Sequence, residues 1–260
     1  MRQPTEADIE AAKAYLRLRL EAEHSMVRNL ESVMREAAER VVDVLYSAGL
    51  TAGELEYADL PLRVQWDINA VIDWLNETIN DYFLTLALYE KEDNKDIILP
   101  IILGKNHGMT FEERLSSYCT KYRDELLLLV GAGLFLGLTK MTLAKSIGNH
   151  LKQPYKNPDL VDGIAAPLTY GRGRTNSMYT AIGALTKFGI GQAWMYDRHV
   201  KAEMESAQGF ITFRNSTVSC VTCDEYASYA HPMDDPIPPL HNSCVCGTIY
   251  FNAQGEFIRL

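Results

Sequence analysis

The sequence predicts a mainly α-helical protein that ends in a small β-sheet carrying a loop stapled by cysteine and histidine. Three observations carry that expectation. Apolar residues recur every three, four or seven positions through most of the chain, the period of a one-sided helix. Two late segments, Gly209-Phe210-Ile211-Thr212-Phe213 and Gly247-Thr248-Ile249-Tyr250-Phe251, are instead rich in aromatic and β-branched residues and read as paired strands. Four of the five cysteines, Cys220, Cys223, Cys244 and Cys246, fall between them, so the connecting loop is where a chelate or crosslink belongs.

The helices follow in order. Pro4-Thr5-Glu6-Ala7-Asp8 reads as a helix start, because Thr5 can accept from an orphan backbone N–H and the acids suit the positive end of the dipole. No Gly or Pro recurs before Gly49, and Ile9, Leu16, Leu20, Val27, Leu30, Met34, Val41 and Leu45 form one stripe. The helix they describe runs for about 40 residues, roughly 60 Å. It either breaks near Glu23-His24-Ser25 or lays its unbroken stripe on an equally long partner, and the second is favoured. After Pro61 a second helix carries Val64, Ile68, Ile72, Leu75, Ile79 and Phe83, with Trp66 and Trp74 as packing anchors. The polar run at 90–95 and Pro100 mark the first candidate boundary. The expected domains are therefore a helical N-terminal region, 1–100, and a second domain, 101–260.

In the second region Thr110-Phe111-Glu112-Glu113 has the form of a capping box opening a helix. The apolar run at 126–138 contains three glycines and falls short of the roughly 20 residues that span a bilayer, so it reads as a buried helix. Cys119 stands apart from the other cysteines and reads as a small buried hydrophobe. Thr139-Lys140-Met141-Thr142 restarts a helix, 155–158 reads as a turn with helix from Asp159, and 175–196 again has helical spacing. Phe257-Ile258 supplies a third strand. The proline-rich loop at 230–240 is too poor in apolar residues to fold alone, and His231, Asp234 and Asp235 are expected to be exposed in it.

A net charge of −9 argues against a general nucleic-acid coat, but the charge is uneven. Residues 1–100 hold 20 acids and 10 bases, whereas 140–201 hold nine bases and three acids, so the basic stretch is where an anionic partner would be met. Lys140, Lys145, Lys152, Lys156, Arg172 and Arg174 are its candidate contacts with DNA phosphates or an acidic partner; the competing reading is ordinary solvated helix faces. The N-terminus lacks the charged and apolar segments of a secretory leader, so synthesis in a cytoplasm is expected.

A C-x2-C turn directs two thiolates to one side, and zinc takes four such ligands in a tetrahedron. Cys220-Val221-Thr222-Cys223 supplies the first pair. After 17 residues, His241-Asn242-Ser243-Cys244-Val245-Cys246 offers three more donors. Cys220, Cys223, Cys244 and Cys246 would make an all-thiolate structural zinc site, and His241 can replace one of the later sulfurs. Disulfides are the competing structural reading, disfavoured by a reducing compartment, and free thiols are the third. Neither His231-Pro232-Met233 nor His241-Asn242-Ser243 places a glutamate where a zinc deaminase needs one.

From about Thr110 to Phe251 the chain resembles the phage Mu F-like head morphogenesis family of minor capsid proteins. The resemblance is carried by the glycine-containing apolar helix at 130–139, by Gly171-Arg172-Gly173-Arg174-Thr175, by Phe210-Ile211-Thr212-Phe213, and most specifically by the terminal signature. That signature is the C-x2-C pair, a loop with Asp234-Asp235-Pro236, and Pro239-Leu240-His241-Asn242-Ser243-Cys244-Val245-Cys246. Asn242, Ser243 and Val245 stand where the family usually has Pro, Asn and Arg. The resemblance implies a helical head-morphogenesis module at 101–260. It implies no enzyme activity but a structural protein of the virion, at the portal vertex or inner capsid, with portal, capsid or scaffold proteins as partners and DNA within reach. The alternative it leaves is a zinc-dependent nucleic-acid-processing enzyme.

Overall fold

Forty-four residues without an interior glycine or proline give the backbone nothing to break on, and α1 runs unbroken from Glu6 to Ser47. Thr5 and Asp8 close its first turn reciprocally: Asp8 N–H donates to Thr5 Oγ1 at 3.3 Å and Thr5 N–H to an Asp8 carboxylate oxygen at 3.0 Å. In this computed structural model the described residues are 4–50, 55–105, 108–152, 177–241 and 244–260, with backbone alone at 150–152. Among them six further α-helices follow: α2 (Leu62–Ala87), α3 (Lys95–Leu103), α4 (Phe111–Phe135), α5 (Lys140–Lys152), α6 (Met178–Met204) and α7 (Val221–Tyr226). The strands are β1 (Gly209–Phe213), β2 (Ala230–Pro232), β3 (Gly247–Phe251) and β4 (Phe257–Ile258).

The chain is thus mainly helical with one small antiparallel sheet, as its periodicities predict. Contacts group it into two compact units, neither of them a continuous segment. The first comprises Met1–Met26, Phe83–Asn106 and Ala184–Leu260, and the second Val27–Tyr82 and His107–Gly183. The expected cut at residue 100 falls inside α3, because Pro100 sits within that nine-residue helix without ending it. The α1 stripe needs no external partner either. Its buried positions, Ala12, Leu16, Met26, Leu30, Met34 and Leu45 among them, are covered by the chain itself, whereas Ile9, Leu20 and Val27 are only half-buried. A local pattern fixes which face is apolar; it says nothing about whether the cover is intramolecular.

In the second unit α2 buries Val64, Ile68, Ile72, Leu75 and Ile79, as expected. Trp66 departs from expectation at 70% exposed, and Trp74 is half-buried with the Arg40 guanidinium 3.9 Å over its ring. The capping box of α4 forms, with Glu113 N–H to Thr110 Oγ1 at 3.1 Å and Thr110 N–H to Glu113 Oε2 at 2.7 Å. The helix stops at Gly137, whose φ of +66° permits the left-handed residue that returns Leu138 N–H to the Gly133 carbonyl. Cys119 is buried, and burial raises its thiol to about 12, in keeping with an inert hydrophobe. Glu125 is 1% exposed and accepts the Met178 N–H at 3.0 Å, capping the start of α6 from α4.

In the first unit the sheet order is β2-β1-β3-β4. Phe210 lies opposite Tyr250 on β3 and opposite His231 on β2, so three rings share one face. His199 of α6 meets that face, with its Nδ1 3.3 Å from the Tyr250 hydroxyl. Around these rings Met195, Ala202, Ala207 and Ile237 complete a small core. On the other face each aromatic at one end lies over the glycine opposite it. A Cβ on Gly247 would sit 2.5 Å from Phe213 Cζ, and one on Gly209 would sit 2.6 Å from Phe251 Cζ.

β2 lies within the loop read as unable to fold, and His231 is 1% exposed rather than solvated. Its ring stacks on Phe210 at 5.0 Å and on Tyr226 at 3.8 Å. Nε2 donates to the Tyr226 carbonyl at 2.7 Å and Nδ1 lies 2.9 Å from an Asp235 carboxylate oxygen. The histidine supplies the flat surface and the two polar anchors that an apolar-poor loop lacks.

Candidate metal centre

Strand pairing brings the cysteines together. Phe213, the last residue of β1, is directly opposite Gly247, the first of β3. The arm bearing Cys220 and Cys223 leaves β1 at the end of the ladder where the arm bearing Cys244 and Cys246 enters β3. Cys220 caps the six-residue α7 and Cys223 lies in its first turn. Asp224 accepts the Cys220 N–H at 3.2 Å and is paired with Arg214, which also donates to the Val218 carbonyl, so the C-x2-C turn is tied at both ends. On the other arm Cys244 N–H donates to the His241 carbonyl at 2.9 Å, which holds the histidine close to the second pair of sulfurs.

All five expected donors converge. His241 Nε2 lies 3.3 Å from Cys220 Sγ and 3.1 Å from Cys223 Sγ, and Cys223 Sγ lies 3.8 Å from Cys244 Sγ. Cys220, Cys223 and His241 form one triad whose donor atoms all lie within 4.8 Å of each other; Cys223, Cys244 and Cys246 form a second. Cys223 belongs to both. Ligands about 2.3 Å (sulfur) and 2.0 Å (nitrogen) from a tetrahedral centre are separated by roughly 3.8 Å for S···S and 3.5 Å for S···N. The S···S separation of 3.8 Å equals the tetrahedral value and is far from the ~2.05 Å of a disulfide, while the S···N separations of 3.1 and 3.3 Å are somewhat shorter than a metal would set. All five cysteines are free. The cluster can hold a metal ion.

Its acid–base state suits that purpose. The Cys244 thiol is lowered, chiefly by the hydrogen bond from the Cys246 thiol and then by backbone hydrogen bonds from Cys246 and Leu240, against the cost of its burial. Burial raises Cys223, and Cys246 is pushed up because it shares its proton with Cys244. A bound cation would favour the thiolate at every one of these positions.

The sequence reading missed what stands behind the second arm. Arg19 of α1 is wholly buried and forks onto the backbone of the C-x-C turn, Nη2 donating to the Cys244 carbonyl at 2.9 Å and Nη1 to the Cys246 carbonyl at 3.2 Å. Its Nε lies 3.1 Å from Glu23 Oε1, an ion pair whose N–H is not aligned for a hydrogen bond. Burial raises the Glu23 carboxyl, with Arg19 and Lys187 opposing that rise. Glu23, Lys187, Phe188, Pro239, His241 and Cys244 border a cavity of about 120 Å3 beside the cluster. Gly191 of α6 makes the approach possible, since a Cβ there would stand 3.1 Å from Glu23 Oε1 and 3.2 Å from Pro239 Cγ. A signal did exist. Positions 12, 16, 19, 23, 26 and 30 continue one helical stripe, and a charge pair in the buried phase of such a stripe marks a polar partner on the far side.

The basic candidates are less well gathered. Lys140 pairs with Asp43 at 2.7 Å, and with Lys145 it lines a cleft of about 810 Å3 whose other wall carries Glu31, Glu39 and Asp43. Lys152 is placed by its backbone at the end of α5, and Lys156, Arg172 and Arg174 lie outside the described residues, as do the expected turn at 155–158 and the helix from Asp159. No described helix is long and apolar enough to cross a membrane. Comparison with family models, with curated proteins and with solved structures finds no match for this chain.

Proposed function

We propose that this protein is a structural minor head protein of a tailed phage, acting at the portal or inner capsid in head assembly and in DNA packaging or ejection. The observation that carries the reading is the terminal signature from Cys220 to Cys246, the most specific part of its resemblance to Mu F-like proteins. The metal we assign is zinc: four thiols and one imidazole gathered in one cluster form a soft donor set that zinc fills without redox chemistry. Cys220, Cys223, Cys244, Cys246 and His241 offer one donor more than a tetrahedron takes, so protein atoms alone can close the shell. Such a site contributes folding energy and performs no reaction. Because the α1 stripe is taken up within the chain, contact with portal, capsid or scaffold proteins falls to exposed faces, and DNA is met through phosphate charge alone.

Virions purified from a host strain carrying the encoding phage, analysed by quantitative mass spectrometry, test the reading. The protein is expected in few copies per particle, and with about one zinc per chain when isolated. Its absence from purified virions would overturn the assignment. One observation favours a second reading, a zinc-dependent nucleic-acid-processing enzyme: Glu23 places beside the cluster the carboxylate that the local sequence lacks. Its engagement by Arg19 weighs against a free general base. Cleavage or deamination of single-stranded DNA by the zinc-loaded protein, lost in Glu23→Gln, would establish that second reading.

A further inference from the structure

We propose that Arg19 is a positioning residue of the metal centre, its guanidinium setting the Cys244-Val245-Cys246 turn in the conformation that presents both sulfurs to one ion. The inference rests on the metal-binding reading and goes beyond it by assigning a long-range determinant of affinity.

A C-x-C pair is a poor chelate by default. One intervening residue leaves two free torsion pairs, and most of the conformations available to them point the sulfurs apart. Something must hold the turn, and the carbonyls of the two cysteines are the atoms whose directions report those torsions. Arg19 contacts both from a single planar group, at 2.9 and 3.2 Å. A planar fork accepts two carbonyls only when they converge, so binding both selects the turn geometry. Lysine, a point donor on a flexible stem, cannot impose that relation.

The fork is itself fixed. Arg19 is 0% exposed, its stem lies on the long helix α1, and Glu23 one turn later sits 3.1 Å from Nε. A buried ion pair of this kind is a weak source of stability, because desolvation consumes most of the attraction. Its position in the buried stripe of α1 is better accounted for by what the free edge of the guanidinium touches. The opposite arm needs no such help: α7 shapes the C-x2-C turn and Asp224 with Arg214 ties it. Arg19 thus supplies to the second arm what a helix supplies to the first.

The test compares wild type, Arg19→Lys and the double variant Arg19→Met with Glu23→Leu, which removes both buried charges together. Zinc affinity is measured by competition with a chromophoric chelator. The d–d bands of the cobalt-substituted protein report ligand geometry, and urea unfolding with and without EDTA separates folding from binding. The double variant is expected to keep wild-type helix content, to lose some metal-free stability because the Cys244 and Cys246 carbonyls go unpaired, to bind zinc about 10–100-fold more weakly than that loss alone accounts for, and to show altered cobalt bands. Arg19→Lys is expected to lose about tenfold in affinity, and it decides the matter should the double variant fail to fold. Wild-type affinity and unchanged cobalt bands in the variant that folds would overturn the proposal. Wild type that binds neither zinc nor cobalt would instead overturn the metal reading on which it rests.

Discussion

Glu125 offers a measurement in which one buried carboxyl dictates how stability follows pH. It is 1% exposed on α4 and accepts a backbone N–H from Met178, and burial raises its carboxyl from 4.5 to about 7 despite that hydrogen bond. The folded state therefore holds this proton more tightly than the unfolded state. The associated stability is fully present below about pH 4.5 and is lost as pH rises through 7. At 1.36 kcal/mol per pKa unit, the loss between pH 5 and pH 8 is about 2–3 kcal/mol. Glu125→Gln keeps an oxygen for Met178 N–H and removes the ionisation. Relative to wild type, the variant should gain about 2–3 kcal/mol on going from pH 5 to pH 8, read as the difference in urea unfolding free energies at the two pH values. Taking the difference cancels every other titrating group. Parallel pH dependences for the two proteins would refute the reasoning, and would mean that water or a cation reaches the carboxylate.

Other perturbations follow from the packing. Gly209→Ala places a methyl group against the His231 carbonyl as well as the Phe251 ring, and backbone cannot step aside, so a loss of more than about 2 kcal/mol is expected in thermal unfolding. His231→Phe preserves the stack between Phe210 and Tyr226 but strands the Tyr226 carbonyl and the Asp235 carboxylate, at a cost of about 1–3 kcal/mol measured by urea midpoint. Thr110→Ala opens the capping box of α4 and should cost about 1 kcal/mol, with the change confined to amide exchange in its first turn.

What the sequence disclosed is what short-range chemistry encodes. The capping box at Thr110, the β1–β3 pair and the five donors of the cluster each depend on residues that are neighbours or share an obvious period. Pairing of β1 with β3 was enough to predict that the two cysteine arms meet. His231 was misread because its surroundings in sequence are prolines and aspartates, whereas its surroundings in space are rings from β1 and α7. Arg19 and Glu23 escaped for the same reason. Their partner lies 225 residues away, and only their phase on α1 hinted that they face inward. Trp66 erred in the opposite direction, since size and apolarity say that a side chain can be buried, never that it is.

The discontinuity of the first unit sets a timetable. Met1–Met26 is synthesised well before Ala184–Leu260, the segment that completes the unit. At roughly 5–20 residues per second, the 225 positions between Arg19 and Cys244 take about 10–45 s to synthesise. Throughout that interval the side of α1 that will meet the cysteine arms is without that cover. Arg19 and Glu23 set a charge pair in that face, the kind of interruption that guards an exposed apolar stripe against association.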